Sequence, residues 1–433
     1  MVSLRREVGL LGLIFYGFGL IVGAGIYVLI GIASGLAGNM IWLSFLIGAL
    51  LALFTGFSYA ELSSLFPKES AEYVYAKKIF GKGIFPFLIG YIAIVSEIVG
   101  LSVVSLGFGR YLTSFIDIPP RISAILLISF LALINFKGIT TSTFFNILLT
   151  IIGVSGLLLV VFAGIFHANW SSFNFFETPS LLNVFSASAL IFFAFIGFEG
   201  VANIAEEAKN PRKIVPIALI GSILLSTFLY MLVGLSSVAL VNYKTLATSN
   251  APLSLVISKA FGNLGYLYLS FTALFSTAST ALVLSVVNSR RIYGMSIYGE
   301  LPKFLSKIHR KTRTPYIAVF LTALISIFFV LLEQIDIIAE IANFGILLVY
   351  ASVNLNLIYL RKRYPKIKPS FKAPLNIKNQ SILPFLGLAT IFFLMIFLKP
   401  ISLLIGLVTI ILGIIFYYFL QSKKSKFAKL HSQ

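Results

Sequence analysis

The sequence predicts an all-α polytopic membrane protein with twelve transmembrane helices. Of its 433 residues, 59% are hydrophobic and only 11% are charged, whereas about a quarter of the residues in a soluble domain carry charge. The charged residues also cluster between long apolar runs, and a run of about 17 residues or more is long enough to cross a bilayer as a helix. Together these two observations exclude an ordinary soluble protein.

Twelve such runs can be placed along the chain, and we number them span 1 to span 12. They lie near residues 8–33, 39–65, 84–110, 121–137, 143–166, 182–205, 214–241, 262–290, 315–332, 335–360, 381–398 and 400–421.

The basic residues predict the orientation of these spans. With the N-terminus inside, 28 of the 33 lysines and arginines lie on the inner side; the five on the outer side are Arg110, Arg121, Lys244, Lys259 and Lys399. This asymmetry follows the positive-inside rule and predicts a plasma-membrane protein with both termini in the cytoplasm. The net charge of +19 therefore requires no nucleic acid partner. Short juxtamembrane clusters of basic residues suit anionic lipid headgroups instead.

The sequence offers little for enzymatic chemistry. It has no cysteine, and its three histidines, His167, His309 and His431, lie outside the apolar runs. The absence of cysteine excludes disulfides, thiolate catalysis and cysteine-ligated metals. A membrane-embedded enzyme would need a nucleophile and base, or a metal site, at membrane depth, and the sequence shows no such set of residues. A channel usually has a repeated pore segment or rings of charge, and the sequence shows neither. We therefore expect neither an enzyme nor a cofactor, apart from a coupling ion.

Spans 1 and 6 each carry glycine near the middle. Span 1 contains Gly23, Ala24 and Gly25, and span 6 contains Gly197 followed by Glu199. Inside a bilayer, freed backbone groups persist only where protein, a cavity or a ligand satisfies them. Paired glycine-interrupted segments indicate a transporter binding site. The alternative is that these glycines only allow close helix packing.

The spacing of the two breaks predicts an internal repeat. Spans 1 and 6 are five spans apart, so orientation inverts between them. Residues 8–166 and 182–360 are then expected to be inverted repeats, each of five spans.

The broken helices favour a zwitterionic ligand. A half-helix that begins just after Gly25 would direct free N–H groups towards the gap, which suits a carboxylate. A half-helix that ends near Ile196 would direct free C=O groups there, which suits an ammonium. An anion site beside a cation site matches an α-amino acid.

Several motifs resemble the amino acid–polyamine–organocation (APC) superfamily of permeases. They are residues 23–27 (GAGIY), 58–67 (SYAELSSLFP) continuing to 73–75 (YVY), 195–199 (FIGFE), 207–213 (EAKNPRK), 299–303 (GELPK) and 314–316 (TPY). The resemblance implies a leucine-transporter-like fold with a five-plus-five inverted-repeat core over residues 1–378, including a cytoplasmic loop at 361–378. It places spans 11 and 12 and a basic tail, residues 379–433, outside the repeat. It also implies alternating access and transport of amino acids or amines.

The resemblance further implies a set of substrate-binding residues. The side-chain pocket would draw on spans 1, 3, 6, 8 and 10, with Phe193 covering the substrate next to the break at Gly197. The amides expected at the substrate carboxylate are those of Gly23, Ala24 and Gly25, and the carbonyls expected at the ammonium are those of Ile21, Phe193 and Ile196.

Four of the carboxylates in or beside the spans are candidates for a functional or structural role. Glu97, Glu199 and Glu340 lie within apolar runs, where a charge at the bilayer centre costs about 2.5–3.5 kcal/mol on insertion scales. Such groups face the protein interior and often take part in proton transfer. Glu199 matches an acidic position common in the family, whereas for Glu97 a hydrogen-bonded packing role is the alternative. Glu61 lies at the cytoplasmic end of span 2, where we expect it to fix the adjoining loop.

Span 8 offers a competing ion site. The hydroxyls of Ser276, Ser279 and Thr280 are spaced i, i+3 and i+4, so they share one helix face. In sodium-coupled members of the fold, hydroxyls at this spacing join carbonyls of span 1, here those of Gly19 and Val22. The alternative is that these hydroxyls bond carbonyls of their own helix.

The lysine that fills this place in several proton-coupled APC members is replaced here by Thr150. This leaves Na⁺ coupling, H⁺ coupling through a carboxylate, or exchange. We expect a secondary transporter of neutral amino acids that works as a monomer or homodimer in the lipid bilayer, and a cationic amino acid or polyamine permease is the alternative.

Overall fold

The computed structural model describes residues 9–67, 71–137, 139–203 and 208–430, and it describes the side chains within these ranges except at 71, 139–148, 203 and 423–430. Arg5, Arg6, Lys68, Glu207 and His431, which entered the sequence arguments, lie outside the described residues. Almost all of the regular structure is helical, and two short strands form a hairpin near the C-terminal helices.

Sixteen α-helices follow one another in the described ranges. They are α1 (Leu10–Ile21), α2 (Ala24–Ala37), α3 (Ile41–Leu65), α4 (Ala71–Phe80), α5 (Ile84–Leu112), α6 (Pro120–Lys137), α7 (Ile139–His167), α8 (Leu181–Ile191), α9 (Gly200–Asn203), α10 (Pro211–Leu240), α11 (Tyr243–Thr248), α12 (Pro252–Ile297), α13 (Tyr316–Val330), α14 (Ile335–Arg363), α15 (Leu383–Ile396) and α16 (Pro400–Leu430). Short 3₁₀ helices cover Gly38–Met40, Phe192–Phe195 and Lys303–Ser306, and strands β1 (Asn376–Ile377) and β2 (Gln380–Ser381) pair antiparallel.

Nine of the helical segments in the described ranges are long and apolar enough to cross a membrane. Three more apolar helices, α1, α13 and α15, are shorter. The chain is therefore a multi-pass membrane protein, and twelve spans and an inverted repeat stay predictions.

Both predicted breaks are present. Span 1 divides into α1 and α2, and span 6 divides into α8, the 3₁₀ helix Phe192–Phe195 and α9. Span 8 is longer than predicted because α12 already begins at Pro252 and bends at Gly262, whose φ of 62° lies in the left-handed region. The apolar runs did not predict α4, α11 or the hairpin, since these elements lie between them.

The two broken segments lie inside the bundle. All of the residues from Val22 to Leu29 and from Phe192 to Phe195 are buried. Helices α3, α5, α10, α12 and α14 pack around them.

Candidate functional site

The first break is held by a side chain from α12. The amide of Gly23 would donate to Gly19 in a continuous helix, but it donates to the carbonyl of Ile21 at 2.8 Å. The amide of Ala24 donates to Oγ1 of Thr280 at 3.0 Å. Helix α2 therefore begins at Ala24, two residues earlier than the predicted start after Gly25, because a hydroxyl from another helix satisfies its first amide.

The second break is held by Glu199. Ile196 is extended, and Gly197 has a φ of 122°, which glycine adopts without steric cost. Oε2 of Glu199 accepts from the amide of Gly197 at 3.0 Å and from the hydroxyl of Tyr350 at 2.6 Å. The acidic side chain that we considered for proton transfer is thus also the acceptor that fixes the backbone turn.

The two breaks are in direct contact. A Cβ atom at Gly25 would lie 2.6 Å from the Cα of Ala194, and one at Gly197 would lie 2.9 Å from the carbonyl oxygen of Leu20. Both distances are too short for a side chain, so glycine is required at both positions for the observed approach. The close-packing alternative is thus correct about the contact, but it does not explain why the backbone hydrogen bonding breaks at the same places.

A hydroxyl that the sequence analysis missed connects the two breaks. The Tyr230 oxygen on α10 lies 2.6 Å from the carbonyl oxygen of Ile21 and 3.0 Å from that of Ala194. A phenol has one proton, so it donates to one carbonyl at a time. A hydrogen-bond donor therefore lies between carbonyls of both breaks. The expected ammonium acceptor Ile21 is one of the two, while the carbonyl of Phe193 accepts from the amide of Ile196 at 3.3 Å.

Phe193 lies between the second break and α5. A Cβ atom at Gly100 would be 3.5 Å from Cε2 of the Phe193 ring and 3.9 Å from Cδ1 of Leu284. Only 7% of Phe193 is exposed. The Phe193 ring therefore lies among apolar neighbours, whereas Glu199 and Tyr230 supply polar atoms at the breaks.

The structure brings most of the predicted ion-site residues together. A Cβ atom at Gly19 would lie 3.0 Å from Cγ2 of Thr150, and Ser276 packs against Gly153 on the same helix as Thr150. The hydroxyl of Thr280 donates to the carbonyl of Ser276 at 3.1 Å. The Thr280 hydroxyl therefore agrees with both alternatives. It donates to a carbonyl of its own helix, and it also accepts from the amide of Ala24 at the first break. Ser276 and Ser279 are buried, and Val22 begins the non-helical segment.

Glu97 forms a buried ion pair. Oε1 of Glu97 on α5 lies 3.0 Å from the guanidinium of Arg291 on α12, and Oε2 of Glu72 on α4 lies 3.8 Å from the same group. Arg291 was counted among the basic residues that suit anionic lipid. That assignment is wrong, because only 8% of the Arg291 side chain is exposed and its guanidinium pairs with the buried carboxylate of Glu97. The packing role considered for Glu97 is therefore an ion pair.

A series of contacts connects this ion pair with the second break. The hydroxyl of Tyr59 donates to Oε1 of Glu72 at 3.1 Å, and its ring meets that of Tyr350 edge to face, with the centroids 5.8 Å apart. Tyr350 in turn donates to Glu199. Beside Arg291, a small cavity reaches Tyr73, where burial and then the hydrogen bond to Glu300 raise the pKa of the Tyr73 phenol.

The other two carboxylates have structural partners. Glu340 accepts from the amide of Lys399 at 2.7 Å and from the hydroxyl of Ser402 at 2.9 Å. Glu61 pairs with Arg361, with 2.8 Å between Oε1 and Nε, and accepts from the amide of Ala373 at 2.7 Å. Glu61 was expected to fix the loop that adjoins span 2, but it fixes the segment that follows α14 instead. Arg361, counted with the lipid-facing basic residues, is buried instead.

Comparisons with known proteins agree with this architecture. Residues 8–421 match the model of a family described as amino acid permease. The chain is 30% identical to the branched-chain amino acid permease BcaP of Bacillus subtilis, over 98% of this chain and 95% of the relative. It is 27% identical to the methylthioribose transporter of the same organism, over 98% and 94%.

A further relative is the vacuolar cationic amino acid transporter 2 of Arabidopsis thaliana, with 29% identity over 85% of this chain and 61% of the relative. The matches with the family and with BcaP cover nearly the whole chain, including both breaks. The chain therefore belongs to the amino acid permease family of the APC superfamily.

Proposed function

We propose that this protein is a secondary active transporter that moves neutral amino acids across the plasma membrane by alternating access, with both termini in the cytoplasm. The observation that carries the proposal is the position of the Tyr230 hydroxyl, between the carbonyls of Ile21 and Ala194. An ammonium has three donors, so it could replace this hydroxyl and satisfy both carbonyls together.

The carboxylate of the same substrate would bind at the start of α2. The amides of Gly23, Ala24 and Gly25 are expected to face the carboxylate there, because helix N-termini bind anions. The amides of Gly23 and Ala24 already have acceptors in this structure. A carboxylate would therefore compete with Oγ1 of Thr280 for the Ala24 amide, which makes substrate binding depend on a residue of the proposed ion site.

A neutral substrate is favoured by the surroundings of the break. The Phe193 ring and Leu284 are apolar, and the carboxylate of Glu199 already accepts two hydrogen bonds. A relative named for branched-chain amino acids supports the same choice. We therefore propose leucine, isoleucine and valine as the substrates to test first.

The second candidate is transport of cationic amino acids. Several relatives are named as cationic amino acid transporters, and Glu199 could pair with a cationic side chain if its bonds to Gly197 and Tyr350 rearranged. Uptake of arginine or putrescine that outcompetes leucine would favour this candidate.

The coupling ion is proposed as Na⁺ or H⁺. Na⁺ would use hard oxygen ligands, the carbonyls of Gly19 and Val22 with the hydroxyls of Ser276, Ser279 and Thr280. H⁺ would use Glu199 or Glu97, and an exchanger would use neither gradient.

The test is uptake by the purified full-length protein in liposomes. Labelled leucine is added with an inward Na⁺ gradient, an inward H⁺ gradient, or unlabelled leucine inside. We expect accumulation in one gradient condition and competition by neutral amino acids. No binding or uptake across all twenty amino acids and common amines would refute the proposal.

A further inference from the structure

Asn343 on α14 holds the carbonyl end of α8 next to the second break. Its Nδ2 donates to the carbonyl oxygens of Ala189 at 2.8 Å and Leu190 at 3.1 Å. In a continuous α-helix these carbonyls would accept from residues 193 and 194. That part of the chain is a 3₁₀ helix here, so the amide of Asn343 supplies a donor where the α-helix ends.

This position places the Asn343 carboxamide at the carbonyl end of α8, just before the chain that leads to the proposed ammonium site. The 3₁₀ helix Phe192–Phe195, which includes Ala194, follows α8 directly. The carbonyl of Ala194 is one of the two that Tyr230 contacts.

The orientation of the carboxamide follows from its bonds. Nδ2 must face the two carbonyls, because Oδ1 cannot donate to them. Oδ1 therefore points elsewhere, and in the described part of the chain this buried oxygen has no hydrogen-bond partner. The Asn343 side chain is fully buried, and a buried acceptor without a donor is unfavourable.

The same face of α14 contacts the chain on the other side of the break. Tyr350 follows Asn343 by seven residues, which is about two helical turns, and it donates to Glu199. Helix α14 therefore contacts the chain on both sides of the second break.

We propose that Asn343 is a substrate-binding residue whose Oδ1 accepts a hydrogen bond from the ammonium of the bound amino acid. Its Nδ2 keeps the end of α8 fixed while Oδ1 completes the acceptor set of Ile21 and Ala194. This inference rests on the proposed amino acid transport.

The test is a cycle that combines changes in the ligand with changes in the protein. Wild type and Asn343→Leu are compared for binding of leucine, of 4-methylpentanoate, which lacks the ammonium, and of leucinamide, which lacks the carboxylate. Competition against labelled leucine gives each affinity. Removing the ammonium should cost at least about fivefold less in Asn343→Leu than in wild type, because the variant has already lost one acceptor. Changing the carboxylate should cost the same in both proteins.

Two further variants keep the test decisive. Asn343→Asp retains an acceptor with added negative charge, so removing the ammonium should cost more there than in wild type, and this variant serves if Asn343→Leu does not fold. Ser352→Ala is the matched control, because Ser352 is buried on the same helix and donates only to Val349 of that helix. Equal ammonium effects in wild type and the folded Asn343 variants would overturn the inference. If wild type itself binds no amino acid, the proposed function fails, and this inference with it.

Discussion

The hydroxyl oxygen of Tyr230 lies 2.6 Å from the carbonyl oxygen of Ile21, so a side chain of α10 hydrogen-bonds the backbone where the first broken helix is interrupted. The same hydroxyl reaches Ala194 in the second broken helix. One phenol thus joins the two segments that we expect to bind the substrate.

Replacing Tyr230 by phenylalanine should destabilise the substrate-free protein. The change leaves two buried carbonyls without this donor, which costs about 1–3 kcal/mol. We expect a lower thermal unfolding midpoint in detergent and a larger stabilisation by leucine than in wild type, because the ammonium then supplies the missing donor. Tyr268→Phe is the control, since Tyr268 is partly exposed and pairs with Ser155. Equal leucine shifts in wild type and Tyr230→Phe would contradict the expectation.

Replacing Gly25 by alanine should abolish leucine binding. The added Cβ would lie 2.6 Å from the Cα of Ala194, and a backbone atom cannot move aside as a flexible side chain can. The two breaks must then separate, and the carboxylate and ammonium sites no longer match one substrate. Equilibrium binding of labelled leucine measures the effect. Gly83→Ala is the control, because a Cβ at Gly83 meets no atom within 4 Å. Unchanged affinity in Gly25→Ala would show that the contact serves packing alone.

Replacing Thr280 by valine should strengthen leucine binding about tenfold, since it leaves the Ala24 amide of the substrate-free protein without an acceptor, which costs about 1–3 kcal/mol that the bound carboxylate then recovers. The variant keeps the side-chain shape but removes the oxygen that accepts from Ala24. If Na⁺ is the coupling ion, the Na⁺ concentration for half-maximal uptake should still rise, because the ion loses a ligand. Thr277→Val is the matched control, because the hydroxyl of Thr277 bonds only carbonyls of its own helix. A Thr280 variant that behaves like the Thr277 variant would remove this hydroxyl from the site.

Replacing Arg291 by methionine should be strongly destabilising. It leaves Glu97 and Glu72 buried without their cation, and breaking a buried pair by removing one partner costs about 3–5 kcal/mol. We expect a large fall in the unfolding midpoint, with partial recovery in the double variant that adds Glu97→Gln. The double-mutant cycle measures this coupling. Additive losses would show that the two side chains act independently.

Replacing Arg361 by methionine should release the loop between α14 and β1. Arg361 and the amide of Ala373 both bind the Glu61 carboxylate. We expect limited trypsin digestion to cut faster at Lys366 and Lys372 in the variant. Arg363→Met is the control, because the Arg363 side chain is exposed. Identical digestion rates in the two variants would contradict this role.

The sequence predicted the positions of the breaks but not what satisfies them. Glycine at mid-span is a local signal, so Gly25 and Gly197 could be read directly. The partners Tyr230 and Asn343 lie far away in sequence, and an apolar run does not reveal which of its polar residues faces the interior.

Arg291 could have been recognised as a buried residue. It follows Thr280 by eleven residues, which is about three helical turns, so it lies on the same face of α12. The predicted end of span 8 at residue 290 concealed this relation. The boundary was placed too early because α12 continues past the apolar run, where Arg291 pairs with the buried carboxylate of Glu97.

The contact between Gly25 and Ala194 has a consequence for changing what this permease carries. Apart from the proposed Asn343 contact, main-chain atoms form the part of the site expected to hold the groups that all α-amino acids share. No substitution can alter the chemistry of those atoms, and the glycines leave no room for an added side chain. A change of substrate must therefore come from the surrounding side chains, such as Phe193 and its neighbours. The same main-chain atoms would continue to bind the amino and carboxyl groups that all of these substrates share.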